Sequence, residues 1–326
     1  MREEEYIGYL RSRNQTDEAI SAAVGYVKEL EQHLSAKGKG LDSLDVSDVK
    51  QYAAILIAGK KNTMDRFLAL ARYVYITGLN EVFIYFTAIL NGREVLPSIS
   101  GRLVSLAGEA ARDEVFGDAD LPPLGSPPEA YPAVTGRLVG NLMKLGTEVC
   151  HSVLAGNHHE IPVASFDKHK QWFKEAGSID GFLERVHGEA VAELEHYMKE
   201  GRVWYEQEIT PGIVEFVRGN QEVLSAVRDG EYLYITKFPY APRDWLEETD
   251  PVMKRYYGCH CPLARAAIIE GKPNIPLDWC YCSGGYTKLK FDVVFEEPTE
   301  VEVLESVLAG DDRCRFRVKI PESKLQ

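Results

Sequence analysis

Two short cysteine pairs constrain this chain more than any other feature: Cys259-His260-Cys261 and Cys280-Tyr281-Cys282, with Cys314 following. Cys150 stands alone upstream, so five of the six cysteines fall in one C-terminal stretch. Clustering of that kind points to one place in the fold that needs soft sulfur ligands or redox chemistry. The N-terminus Met1-Arg2-Glu3-Glu4-Glu5 is acidic and shows no apolar signal core, which leads to the expectation of a cytoplasmic protein. In that reducing compartment, closely spaced cysteines serve as metal ligands or reactive thiols more often than as structural disulfides.

Four thiolates make a closed tetrahedral zinc site, and two Cys-x-Cys segments can supply them from adjoining loops. A strand sends residues i and i+2 to one face, whereas a helix splays them, so both pairs are expected in strand-like or loop backbone. Zinc is the expected cofactor, with Cys259, Cys261, Cys280, Cys282 and Cys314 as candidate ligands. An iron–sulfur cluster on the same thiols is the alternative. Thiols packed as small apolar groups, and thiols cycling through a disulfide, are the competing readings. Cys150, on a helical pattern, reads as core.

Four neighbours are candidate ligand-binding residues: His260, Arg265, Tyr240 and Tyr286. His260 lies between two thiols, as an acid or base beside a metal or as an exposed side chain. Arg265 offers a bidentate grip on a carboxylate, or a surface pair with Glu270. Tyr286, and the aromatics of residues 231–240, are expected to line an apolar pocket near Cys280 or to fill core. No single residue is assigned as catalytic.

The formal charge of −13 argues against a general nucleic-acid binder, because phosphate contacts need a basic surface. Residues 1–95 carry 12 Lys and Arg against 13 Asp and Glu, leaving 25 against 37 for residues 96–326. No apolar run approaches the roughly 20 residues of a membrane span. The expected partner is a small molecule, with a homodimer allowed and a membrane not expected.

Along the chain, apolar residues at helical spacing predict a helical module over residues 1–95, including Ala19–Leu30, a helix opened by Asp45, and a third starting at Asn62-Thr63. Pro97, Pro122-Pro123, Pro127-Pro128 and Pro132 mark a connecting region over 96–132. A helical segment over 133–204 contains His151, His158, His159 and Glu160, residue types that bind metal but at no tight ligand spacing and so read first as a loop of solvated histidines, and a long helix from Ile179 to about Lys199. From 205 to 326 the pattern becomes α+β. A hairpin from Glu222 closes at Asp229-Gly230, a helix spans Cys261–Ile269, and another follows a Gly284-Gly285 break. Strands at Glu300–Leu308 and Cys314–Ile320 end the chain. The fold class is α+β, a helical N-terminal bundle followed by an antiparallel sheet with helices.

Two resemblances accompany this reading. The run Leu41-Asp-Ser-Leu-Asp-Val-Ser-Asp-Val-Lys-Gln-Tyr52, with Lys60-Lys-Asn-Thr-Met-Asp-Arg-Phe67, resembles the helical core-binding module of tyrosine recombinases, without that family's catalytic residues downstream. The segment Trp279-Cys280-Tyr-Cys-Ser-Gly-Gly-Tyr286, with Val301–Val318, resembles the 4-vinyl-reductase-type domain and the L-2-amino-thiazoline-4-carboxylate hydrolases, over roughly residues 200–322. The first of these two implies a fold that binds small hydrophobic molecules and, in its sensor members, a nearby zinc. The zinc-ligand positions it implies fall on Cys280, Val303, Ser306 and Cys314. Val and Ser do not ligate zinc, so Cys259, Cys261 and Cys282 become the replacements. The expected function is small-molecule binding or sensing with a cysteine-ligated site. The alternative is a metal- or thiol-dependent hydrolase of a small heterocyclic or amide substrate.

Overall fold

The computed structural model describes residues 1–90, 92–117, 119–205, 207–272 and 274–325. The chain forms two compact units, Met1–Asn91 with Leu121–Ala130, and Gly92–Asp120 with Tyr131–Gln326.

The first unit is a bundle of five helices, Glu3–Ser12, Asp17–Ser35, Val46–Ala58, Met64–Thr77 and Asn80–Leu90. Local chemistry sets their starts. The Thr16 hydroxyl accepts from Ala19 N–H at 3.2 Å, and Asp45 and Asp48 cap one another's backbone, with Lys39 bridging both carboxylates at 2.8 and 2.7 Å. Their apolar stripes meet in a core around Tyr6, Val27, Leu34, Phe67, Val74 and Phe86. The Pro-rich segment from Leu121 to Ala130 belongs to this unit, although its composition predicts a connection. Asn62 Nδ2 donates to Leu124 C=O at 3.0 Å, and Gly125, at φ +87°, leaves no room for a Cβ over the Phe67 ring.

The second unit is α+β. Helices Val95–Ala107 and Glu109–Phe116 occupy the stretch that the prolines predict to be broken. Pro97 sits within the first helical turn, where a missing N–H costs no intrahelical bond. Four further helices begin on proline, at Pro132, Pro211, Pro242 and Pro251. The long helix runs Ile179–Glu200 and ends on Gly201 in the left-handed conformation.

Strands β1 (Val203–Trp204) and β2 (Gln207–Glu208) form a short ladder. The main sheet contains β3 (Val227–Asp229), β4 (Tyr232–Thr236), β5 (Val301–Glu305) and β6 (Arg315–Lys319), all antiparallel in the order β3-β4-β6-β5. The hairpin predicted from Glu222 is shorter than expected. Leu224 adopts φ +62°, Val227–Asp229 pairs with Tyr232–Tyr234, and Val223 makes an isolated parallel bridge to Thr236.

Leu233 and Ile235 on β4, with Phe316 and Val318 on β6, form the inner face and pack with Phe291, Val294 and Phe295 of the helix Tyr281–Phe295. Tyr232 and Tyr234 take the outer face under Arg317 and Arg315, at 4.5 and 4.9 Å from the rings. Arg315 also holds Glu222 through two bonds of 2.8 and 2.6 Å.

The predicted Gly-Gly break is not a break. The helix starts at Tyr281 and runs through both glycines, because they form a flat face. A Cβ on Gly285 would stand 2.5 Å from Gly156 O, and one on Gly284 would stand 3.2 Å from a Val301 methyl. The sequence signal was right about glycine and wrong about its purpose.

Candidate metal centre

The second unit carries the five candidate thiols on three segments. Cys259 follows the helix Pro251–Gly258 in extended backbone, and a turn closed by Arg265 N–H to Cys261 C=O at 2.9 Å carries the chain past Cys261. Thr135 donates to Leu263 C=O at 2.8 Å and anchors that turn. Cys280 ends the 3-10 turn Leu277–Cys280, and Cys282 lies in the first turn of the helix Tyr281–Phe295. Cys314 immediately precedes β6.

The second cysteine pair therefore departs from the expected loop or strand backbone. On a helical path the two thiols diverge. Cys280 Sγ meets Ser306 Oγ at 3.0 Å, while Cys282 joins the core of Trp279, Leu263 and Val139. Ser306 is one of the two positions that the resemblance placed among the ligands. Val303 instead packs against the sheet core.

Cys259, Cys280 and Cys282 are buried, and Cys261 and Cys314 are partly covered. Burial pushes all five thiol pKa values up, that of Cys282 to about 12, and neighbouring sulfur adds to it. A charge on Cys314, Cys259 or Cys261 opposes ionisation of Cys280, and Cys261 and Cys314 oppose that of Cys259. Against burial stand several donors. Trp279 Nε1–H donates to Cys261 Sγ at 3.2 Å. Backbone N–H groups of Cys261, of Leu263 and Ala264, and of Val307 favour thiolate at Cys259, Cys261 and Cys314 respectively. Cys280 and Cys282 also stand at a helix N-terminus, where negative charge is stabilised. Among the described residues, no three His, Cys, Asp or Glu side chains stand in metal-holding geometry in these rotamers.

Two cations flank the thiols. Lys237 was not singled out in the sequence, yet its signal is there: it continues the inward register of Leu233 and Ile235. Its N–H donates to Cys314 C=O at 2.9 Å, its Nζ lies 2.6 Å from Ser283 Oγ, and it stands 5.1 Å from the Tyr286 ring. Arg265 is only 6% exposed, so the predicted surface pair with Glu270 does not form. Its guanidinium packs over Tyr240 at 4.2 Å and Tyr256 at 5.1 Å, and its buried Nε has no hydrogen-bond partner.

His260 is half-buried, and its Nε2 lies 2.5 Å from Phe238 C=O, which makes that nitrogen the N–H donor. Burial holds its pKa down to about 3. Tyr286 is 46% exposed and fills no core.

Tyr281, between Cys280 and Cys282, helps to line a cavity in this unit. It has a volume of about 270 Å³, and Glu148, His151, Tyr232, Tyr281, Arg317 and Lys319 are among its lining residues. Tyr240, His260, Arg265 and Tyr286 are not among the residues that line this cavity. His151 Nε2 lies 2.7 Å from Asp278 Oδ1, and its ring stacks on Tyr281 at 3.5 Å.

The histidines after Cys150 are not a solvated group. His158 is 1% exposed, with Nε2 2.8 Å from Val153 C=O and Nδ1 3.0 Å from Ser98 Oγ. Burial holds its pKa down to about 4 from 6.5. The unfolded chain therefore takes up this proton first, and the associated stability is present above pH 6.5 and lost as pH falls towards 4. Urea unfolding at pH 7 and pH 4 is expected to show an acid loss that shrinks by about 3 kcal/mol in His158→Gln.

A family of unknown function (DUF6144) matches residues 227–325, which span the main sheet and the whole thiol cluster. No curated protein and no solved structure matches the chain. Among the described residues, no helix is long and apolar enough to cross a membrane.

Proposed function

We propose that this chain binds or senses a small molecule, and that a thiolate-held zinc orders the domain which does so. The observation that carries the reading is that three segments bring five thiols into one unit, each sulfur met by N–H or O–H donors or a nearby cation. Thiols packed as small apolar groups need neither donors nor cations around sulfur.

Cys259, Cys261, Cys280 and Cys314, which oppose one another's ionisation, are the four ligands, with Cys282 outside them in the apolar core. Closure turns Cys280 away from Ser306 and Cys261 away from Trp279. The ligand occupies the cavity lined by His151, Tyr232 and Arg317, and Tyr281, between Cys280 and Cys282, forms part of its wall. Occupancy of the cavity and order in the thiol segment are thereby linked through one side chain.

Elemental analysis of protein purified without added metal is expected to give about one zinc per chain. Alkylation of the native protein should leave the four ligand thiols unreacted until a chelator is added. Metal-free protein whose thiols all react in the folded state overturns the reading.

A further inference from the structure

His151 reaches the cavity from the helix Thr147–Leu154, together with Glu148 and Ser152, which i, i+3, i+4 spacing places on the same face. Its Nε2 lies 2.7 Å from Asp278 Oδ1, so Nε2 carries the proton and the lone pair is left on Nδ1. The ring is also clamped, lying on the Tyr281 ring at 3.5 Å and 14° from parallel. Nδ1 makes no hydrogen bond among the described residues, and it is not sealed from solvent. A core histidine engages both nitrogens, as His158 does with Ser98 and Val153. His151 engages one and presents the other, which is how a carboxylate orients a histidine base.

We infer that the cavity is a hydrolytic site for small esters, with His151 as the base that draws a proton from water. Water oxygen bonds to the acyl carbon while one of its protons passes to Nδ1, and the carbonyl electron pair moves onto oxygen. Lys319 lines the same cavity and forms no ion pair among the described residues, so its charge is left to meet that oxyanion. The acyl carbon's bond to the leaving oxygen then breaks, and the proton on Nδ1 moves to that oxygen. An acid and an alcohol leave, and the imidazole is regenerated. Asp278 is a positioning residue, which fixes the tautomer and stabilises the imidazolium. The His151 and Asp278 side chains stay 26% and 21% exposed, so water has access to the pair, whereas abstraction of a carbon-bound proton calls for a site closed to water. A volume of about 270 Å³ lies just below the roughly 300–1,000 Å³ of pockets for drug-sized molecules and limits the ester to a small one. The inference rests on the cavity as the place where the ligand binds, and it adds a reaction carried by imidazole rather than by the thiols.

The test is turnover of p-nitrophenyl acetate by the full chain and its variants. His151→Gln, which leaves every other histidine in place, is expected to lower kcat/KM by about 100-fold or more. Free imidazole is expected to restore part of the rate to His151→Ala. Asp278→Asn is expected to lower kcat by about tenfold or more at unchanged KM, and Asp278→Glu to recover part of that loss. Tyr232→Ala, on the cavity wall, should raise KM. A rate unchanged in His151→Gln, a His151→Ala chain that imidazole does not rescue, or a parent chain no faster than free imidazole overturns the inference. A His151-dependent rate whose KM ignores Tyr232→Ala takes the ester out of the cavity and overturns it as well. Absence of zinc from the purified protein overturns the metal reading and leaves this rate as it is, so the two fail separately.

Discussion

Chelation of the metal is expected to lower the thermal midpoint by more than about 10 °C, and Cys280→Ser to do the same without a chelator. Structural zinc bound by thiolates contributes roughly 10–16 kcal/mol of apparent binding energy at neutral pH, and that energy is folding energy where the site does not exist in the unfolded chain. In a domain of this size each kcal/mol moves the midpoint by about 2–4 °C. The turn after Cys259 is anchored by Thr135, and the loop between β5 and β6 by Ser306 and Asp311. A melt with and without chelator checks this. Identical midpoints would mean that the thiols are only small apolar residues.

Gly285→Ala is expected to destabilise the second unit by about 3 kcal/mol or more, beyond the usual range for one added methyl in a core. The new Cβ would stand 2.5 Å from Gly156 O and 2.6 Å from Ala155 C, and backbone cannot rotate away as a side chain can. Gly284→Ala meets only Val301 methyls at 3.2 and 3.3 Å and should cost about 1 kcal/mol. The contrast between adjacent glycines in urea unfolding is the check. Equal effects would mean that the contact between the helix and residues 155–156 yields easily.

Much of the fold was legible. The helix over Ala19–Leu30, the helix start at Asp45, the Asp229-Gly230 hairpin and the two final strands each follow from short-range chemistry, and the structure has an element at each. The errors occur where distant segments intervene. Pro97 reads as a breaker by itself and is harmless in a first turn, and the Gly-Gly pair reads as a break ahead of a helix until residues 155–156 are seen lying across it. His158 reads as a surface residue in a polar run and is buried because Ser98 and Val153 satisfy both ring nitrogens.

The candidate centre divides the same way. Sequence alone determined that the thiols are concentrated in one C-terminal stretch, because residue type and spacing are local facts. Tertiary structure decided which sulfurs face one another: a helical path separates Cys280 from Cys282, and the ladder from β4 to β6 sets Lys237 against Cys314. It also decided the charge around them, since Arg265 is a surface cation or a buried one according to whether Tyr240 and Tyr256 close over it. Spacing fixes chemistry that lies within a few residues. Burial and counter-charge depend on segments far apart in the chain, and only packing brings those together.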